Sequence, residues 1–129
     1  MSGVVLDASA LLALLLDEPG GDRVEAALND ALIGAVNYAE VVSHYAKLGV
    51  ERGDIEQMLS QLPIRIVDTD PVLAVDSGML RYATHAAGLS LGDRFCLALA
   101  KREKRPALTA DRPWKALAKP LDIEIILIR

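Results

Sequence analysis

Aromatic side chains are scarce in this chain: one Trp, three Tyr and one Phe make up 4% of its 129 residues. A core without large rings has to be assembled from Leu, Ala, Val and Ile, which suits aliphatic helices packed on a sheet. Cysteine is represented by Cys96 alone, so no internal disulfide exists, and the apolar setting Phe95-Cys96-Leu97-Ala98-Leu99 reads as that of a buried packing thiol rather than a nucleophile. Long apolar runs are missing as well. The longest, residues 10–16, has seven residues, far short of the roughly 20 a membrane span needs. The opening residues carry no Lys or Arg before Asp7, which is unlike a secretory signal, and a cytoplasmic protein with no membrane association is expected. Finally, there is no excess of base. Eighteen acids against fourteen bases give a formal charge of −4, which excludes binding to nucleic acid through a broad basic face.

Hydrophobic residues reach 52% and charged residues 25%, a balance that excludes disorder. No Pro-, Ser- or Gly-rich linker, repeat or low-complexity segment interrupts the chain, and one domain over residues 1–129 is expected. Its order alternates strand and helix. Val4-Val5-Leu6 leads through Asp7 into a leucine-rich helix over 10–16 that is apolar on nearly every side and therefore expected to be buried. A turn at Asp17-Glu18-Pro19-Gly20-Gly21, with charges read as solvated, precedes a half-exposed helix over 22–30. A strand over 32–36 then runs into a helix that starts at Asn37 and continues to about Leu48. Further helices are expected over 50–62, 72–87 and 90–101, strands over 64–67, 106–109 and 123–128, and a short helix around the packing residue Trp114. Such alternation is the signature of parallel βαβ units, hence of an α/β fold.

Four acids recur at the same kind of place. Asp7 closes the first strand, Glu40 follows the second, Asp93 sits in the first turn of the helix opened by Ser90, and Asp111 follows the strand ending at Thr109. Three have a bland reading: Asp7 as a helix N-cap, Glu40 as the acid of a capping box with Asn37, Asp93 as the acid of a capping box with Ser90. Their convergence favours another. An open parallel sheet gathers its carboxyl ends at one edge, where such folds bind ligands, and Ser9, Asn37 and Thr109 would accompany the acids there as neutral partners. Two carboxylates about 4 Å apart repel by about 4 kcal/mol at an effective dielectric near 20. A hard divalent cation removes that cost, and oxygen ligands without a His or Cys cluster point to Mg2+ or Mn2+ rather than zinc. At Asp93 the helix N-terminus is expected to lower the pKa and keep the acid ionised. Metal-assisted hydrolysis of a phosphodiester is the chemistry implied. Arg94, Arg112, Lys115 and Lys119 are candidate contacts for the polyanion, and Arg94, not facing its neighbour Asp93, is free to reach a phosphate or another acid.

The motifs Val5-Leu6-Asp7-Ala8-Ser9-Ala10 with Leu16-Asp17-Glu18-Pro19-Gly20, then Asn37-Tyr38-Ala39-Glu40, Ser90-Leu91-Gly92-Asp93-Arg94 and Thr109-Ala110-Asp111, in this order, resemble those of the PIN-domain ribonucleases and, among them, the VapC toxins of toxin–antitoxin systems. That resemblance spans nearly the whole chain and implies a three-layer α/β/α sandwich around a mainly parallel sheet of four to five strands. It further implies a Mg2+- or Mn2+-dependent endoribonuclease whose acidic quartet is Asp7, Glu40, Asp93 and Asp111, with hydroxyls at Ser9 and Thr109 and an asparagine at Asn37. The partners it implies are RNA, a second copy of the chain, and a VapB-like antitoxin whose C-terminal segment lies along a groove between the early helices, in a heterotetramer or larger assembly. Two other classes compete. A module of the same fold acting only through antitoxin binding and transcriptional regulation needs no metal. An aspartyl-phosphate receiver shares the strand-end acids, but it calls for an adjacent acid pair near the first strand and a late strand-end Lys, and neither is present.

Overall fold

The computed structural model describes residues 3–129. Its five strands are β1 (Val5–Leu6), β2 (Leu32–Gly34), β3 (Arg65–Val67), β4 (Ala107–Thr109) and β5 (Ile125–Leu127). They form one parallel sheet in the order β3-β2-β1-β4-β5. β1 is thus central, with Val5 opposite both Leu32 and Ala107, and Leu6 opposite Leu108. Because side chains alternate along a strand, the sheet feeds two cores. Val4, Leu6, Ile33 and Leu108 face one side, whereas Val5, Leu32, Ala107 and Ile125 face the other.

Helices cover both faces, giving the α/β/α sandwich. The first core is closed by α1 (Ala8–Leu15), α2 (Gly21–Ala27), α3 (Ala35–Lys47) and α4 (Arg52–Ser60). The second is closed by α5 (Pro71–Thr84), α6 (Leu91–Glu103), a 3-10 segment over Arg112–Leu117 and α7 (Ala118–Leu121). Trp114 and Cys96 are fully buried packing residues of that second core. Among the described residues, no helix is long and apolar enough to cross a membrane.

Local structure departs from the sequence pattern in two places that matter for the site. The strand expected over 32–36 stops at Gly34, whose extended backbone (φ −71°, ψ 151°) serves as the N-cap of α3, so Ala35 and Val36 are already helical. Asn37 therefore lies inside the first turn and not at its start. The leucine-rich helix buries Ala10, Leu11 and Ala13, but Leu12, Leu14 and Leu15 are only half-buried and Leu16 is exposed. A helix lying on a sheet has one outward face whatever residues occupy it, and here that face is apolar.

The turn between α1 and α2 holds the far edge of the sheet. Gly20 has φ +91°, and a Cβ there would run into the carbonyl oxygen of Ile128. Nearby, Arg23 Nη1 donates to the Leu127 carbonyl at 3.3 Å, Arg129 Nη1 donates to the Pro19 carbonyl at 2.8 Å, and Arg129 pairs with Glu18 at 3.5 Å. Glu18 is thus engaged rather than simply solvated. Replacing Gly20 by Ala combines left-handed strain with a backbone collision, and urea denaturation of Gly20→Ala is expected to show a loss of about 2 kcal/mol or more. Unchanged stability would mean that the clasp does not hold the strand.

Candidate active site at the carboxyl edge of the sheet

Asp7 follows β1 and occupies the N-cap position of α1, yet its side chain makes no capping hydrogen bond. Instead Oδ2 accepts from Ser9 Oγ at 2.6 Å and from Thr109 Oγ1 at 2.9 Å. The two hydroxyls are 3.2 Å apart and are themselves aimed by the backbone, Ala110 N–H donating to Ser9 Oγ at 3.0 Å and Asp111 N–H to Thr109 Oγ1 at 3.0 Å. This network ties the ends of β1 and β4 together. Asp111 repeats the pattern at the N-cap position of the 3-10 segment, again without a side-chain cap. For Asp7 the capping explanation fails, and the Asp111 side chain caps no N–H either.

Glu40 stands on α3 one turn beyond Asn37. With Gly34 as the N-cap there is no capping box, and the pair has a different use. Asn37 is fully buried, and its Nδ2 donates to Glu40 Oε1 at 2.9 Å and to the Gly92 carbonyl at 2.9 Å. Two acceptors fix the amide orientation, and Asn37 Oδ1 is left buried without a partner. Gly92 completes the arrangement, because the Glu40 carboxylate occupies the space its Cβ would need. Sequence reasoning missed Gly92. A glycine in the first turn of an otherwise regular helix, where it costs about 1 kcal/mol relative to Ala, was the available signal.

Asp93 does form the capping box with Ser90: Ser90 N–H donates to Asp93 Oδ2 at 2.9 Å, and Asp93 N–H to Ser90 Oγ at 3.1 Å. Structural and chemical roles coexist here, since Asp7, Ser9, Glu40, Asp93 and Asp111 line a single cleft of about 420 Å³, together with Ala8, Leu12, Ala110 and Arg129. Thr109 and Asn37 are fully buried and support the cleft through their bonds to Asp7 and Glu40. Among the described residues, none of the four carboxylates has an ion pair with a basic side chain, and no three His, Cys, Asp or Glu side chains stand as a preassembled cage.

Electrostatics follow from burial. Asp7, 4% exposed, has its pKa raised from 3.8 to about 6 by desolvation, against the pull of the two hydroxyls and with a push from Asp93 and Glu40. Desolvation also raises Glu40, opposed by Asn37 and reinforced by Asp93. For Asp93 the expected lowering at a helix N-terminus is overturned: its bonds to Ser90 act downward, but burial outweighs them and the charge of Asp111 adds to the rise. Burial pushes the Cys96 thiol upward too, with the acids above it contributing, so it remains protonated and inert.

The candidate cations differ in their settings. Arg94 is buried, and its Nε donates to Thr84 Oγ1 at 2.9 Å, joining α6 to α5, while its charge pulls the Asp93 pKa downward. Lys115 Nζ donates to the Ile125 carbonyl at 3.2 Å and Arg112 Nη1 to the Arg129 carbonyl at 3.1 Å, while Lys119 is exposed. Arg129, unremarked in the sequence pattern, lines the cleft.

Comparison with known proteins places the chain in a family. The PIN domain family matches residues 4–120. A ribonuclease VapC of Mycolicibacterium smegmatis is 32% identical over 114 residues, covering 81% of this chain and 88% of that protein. Ribonuclease VapC30 of Mycobacterium tuberculosis is 31% identical over 114 residues, covering 81% and 87%. In fold, a toxin–antitoxin complex from Klebsiella pneumoniae superposes with a TM-score of 0.76 at 19% identity, over 98% of both chains. The chain belongs to the PIN domain family and, within it, to the VapC ribonucleases.

A carboxyl with a pKa of about 6 folded and 3.8 unfolded binds its proton more tightly in the native state. Without divalent cations, stability is therefore lost as pH rises from about 4 through about 6, by roughly 3 kcal/mol for this group. The difference in urea-denaturation stability between Asp7→Asn and the wild type in EDTA should move by that amount in the variant's favour between about pH 4 and pH 7. A difference that stays constant with pH would contradict the assignment.

Proposed function

We propose that the chain is a Mg2+- or Mn2+-dependent endoribonuclease, the toxin of a toxin–antitoxin pair, acting as one domain over residues 1–129 in the cytoplasm. The observation that carries this reading is that Asp7 and Asp111 occupy N-cap positions without capping and meet Glu40 and Asp93 in one cleft where, among the described residues, none of the four is ion-paired. A donor set of carboxylate oxygens without His or Cys fits a hard divalent ion. Asp7, Asp93 and Asp111 would hold it, with Glu40 completing or orienting the set. Such an ion, when bound, supplies an acidified water and neutralises charge on the phosphate. The protein's own side chains do the positioning. Ser9 and Thr109 fix the Asp7 carboxylate, Asn37 fixes Glu40, and Ser90 fixes Asp93. Hydrolysis adds water across one P–O bond of RNA, and the departing ribose oxygen takes up a proton.

Two surfaces support the proposed partners. Between α3 and α4 runs an apolar groove of about 440 Å³ lined by Tyr38, Val42, Val50, Ile55 and Leu59, with Arg52 and Glu56 at its margin. It suits an amphipathic antitoxin segment. On α5, Val72, Val75, Met79 and Tyr82 are exposed along one stripe, which suits pairing with a second copy, and two such copies with their antitoxins give the heterotetramer. A module acting only through these surfaces would have no use for the quartet.

Asp7→Asn is expected to reduce Mn2+-dependent cleavage of single-stranded RNA about 100-fold or more and to abolish Mn2+ binding in isothermal titration. Addition of Mn2+ or Mg2+ should raise the melting temperature of the wild type by several degrees. Full activity of the variant, or absence of any metal-induced shift, would remove the basis of the proposal.

A further inference from the structure

The cleft that gathers the acids has one basic wall. Of the residues lining it, Arg129 alone is basic, and its guanidinium is held from behind, Nη1 donating to the Pro19 carbonyl at 2.8 Å and facing Glu18 at 3.5 Å. Its backbone is held as well: Arg112 Nη1 donates to the Arg129 carbonyl at 3.1 Å, and Ile128 N–H donates to the Thr109 carbonyl at 3.0 Å, next to the hydroxyl that serves Asp7. The turn supporting Arg129 is Asp17-Glu18-Pro19-Gly20, the one motif of the sequence that the acid quartet leaves without a purpose. Gly20 lets that turn approach the strand closely enough for Glu18 and Pro19 to reach the guanidinium. Arg129 pairs with none of the four acids, so the contacts on Nη1 orient it while most of its N–H donors stay uncommitted.

A polyanion entering a cleft of four carboxylates on a chain of charge −4 needs a fixed cation beside the scissile linkage, and a guanidinium offers two parallel donors to one phosphate. We propose that Arg129 is the phosphate clamp of this cleft, binding a backbone phosphate of the RNA next to the acidic site, and that Glu18 is a positioning residue that aims it. This inference rests on the nuclease reading above.

The test compares Arg129→Ala, Arg129→Lys and Glu18→Gln with the wild type in four measurements. These are steady-state cleavage of a short single-stranded RNA with Mn2+, anisotropy binding of the same RNA carrying phosphorothioate linkages across a salt series, isothermal titration with Mn2+, and thermal melting. For Arg129→Ala, KM and Kd should rise about tenfold, and the slope of log Kd against log salt should fall by about 0.7, the loss of one single-strand phosphate contact. Mn2+ affinity and kcat should stay within about twofold. Arg129→Lys should recover part of the binding and the full salt slope, since the charge remains. Glu18→Gln should raise KM less than Arg129→Ala, with the slope unchanged. If Arg129→Ala leaves KM, Kd and salt slope at wild-type values while the wild type cleaves RNA, Arg129 merely fastens the strand and the clamp is wrong, although the nuclease reading stands. If the variant instead loses melting temperature and Mn2+ affinity together, with its salt slope intact, its role is structural and the clamp again fails. A wild type that neither cleaves nor binds RNA overturns the nuclease reading and the clamp with it.

Discussion

The structure depends on keeping a carboxylate in a place that disfavours its charge. Asp7 is 4% exposed at the end of the central strand, and burial is the largest cause of the rise in its pKa to about 6. Two hydroxyls reduce the penalty, one from α1 and one from β4, and each is aimed by a backbone N–H of the 110–111 segment. To bring Ser9 and Thr109 onto one oxygen, β1 and β4 must be neighbours in parallel register, with α1 starting immediately after β1. Parallel pairing thus does more than build the sheet. It assembles a hydrogen-bond network around a charge that no base compensates.

The same constraint explains why the acids meet where they do. A parallel sheet flanked by crossover helices directs all its strand ends to one edge. Asp7 and Asp111 arrive there straight from strands, Glu40 one turn into α3, and Asp93 in the first turn of α6. Asp93 shows how one residue serves both ends: it closes a capping box and still lines the cleft. Its raised pKa shows that being bonded to a helix N-terminus does not outweigh burial beside other acids.

Much of this was legible in sequence because it rests on short-range signals. Val4-Val5-Leu6 followed by Asp7, and Leu108-Thr109 followed by Asp111, announce strands that end on acids, and apolar alternation announces a sheet packed on both faces. Less legible was anything that depends on what lies across the fold. Gly34 ends β2 two residues earlier than the apolar run suggests, since Ala35 and Val36 are as acceptable in a helix as in a strand. Arg94 reads as a free cation until Thr84, ten residues earlier, is seen beside it. Gly92 and the turn at Glu18 have meaning only through Glu40 and Arg129, partners 52 and 111 residues away in the chain. No local pattern carries that information.

Three of the four carboxylates share a habit. Asp7 Oδ2, Glu40 Oε1 and Asp93 Oδ2 each accept a hydrogen bond from the protein. A carboxylate gripped by one oxygen has lost its rotation, and the second oxygen points in a direction set by the scaffold. Ordering a side chain on binding ordinarily costs about 0.5–1.5 kcal/mol, and here that loss of freedom is settled during folding. The cleft is a set of stopped rotors, so whatever enters it meets directions rather than a cloud of charge.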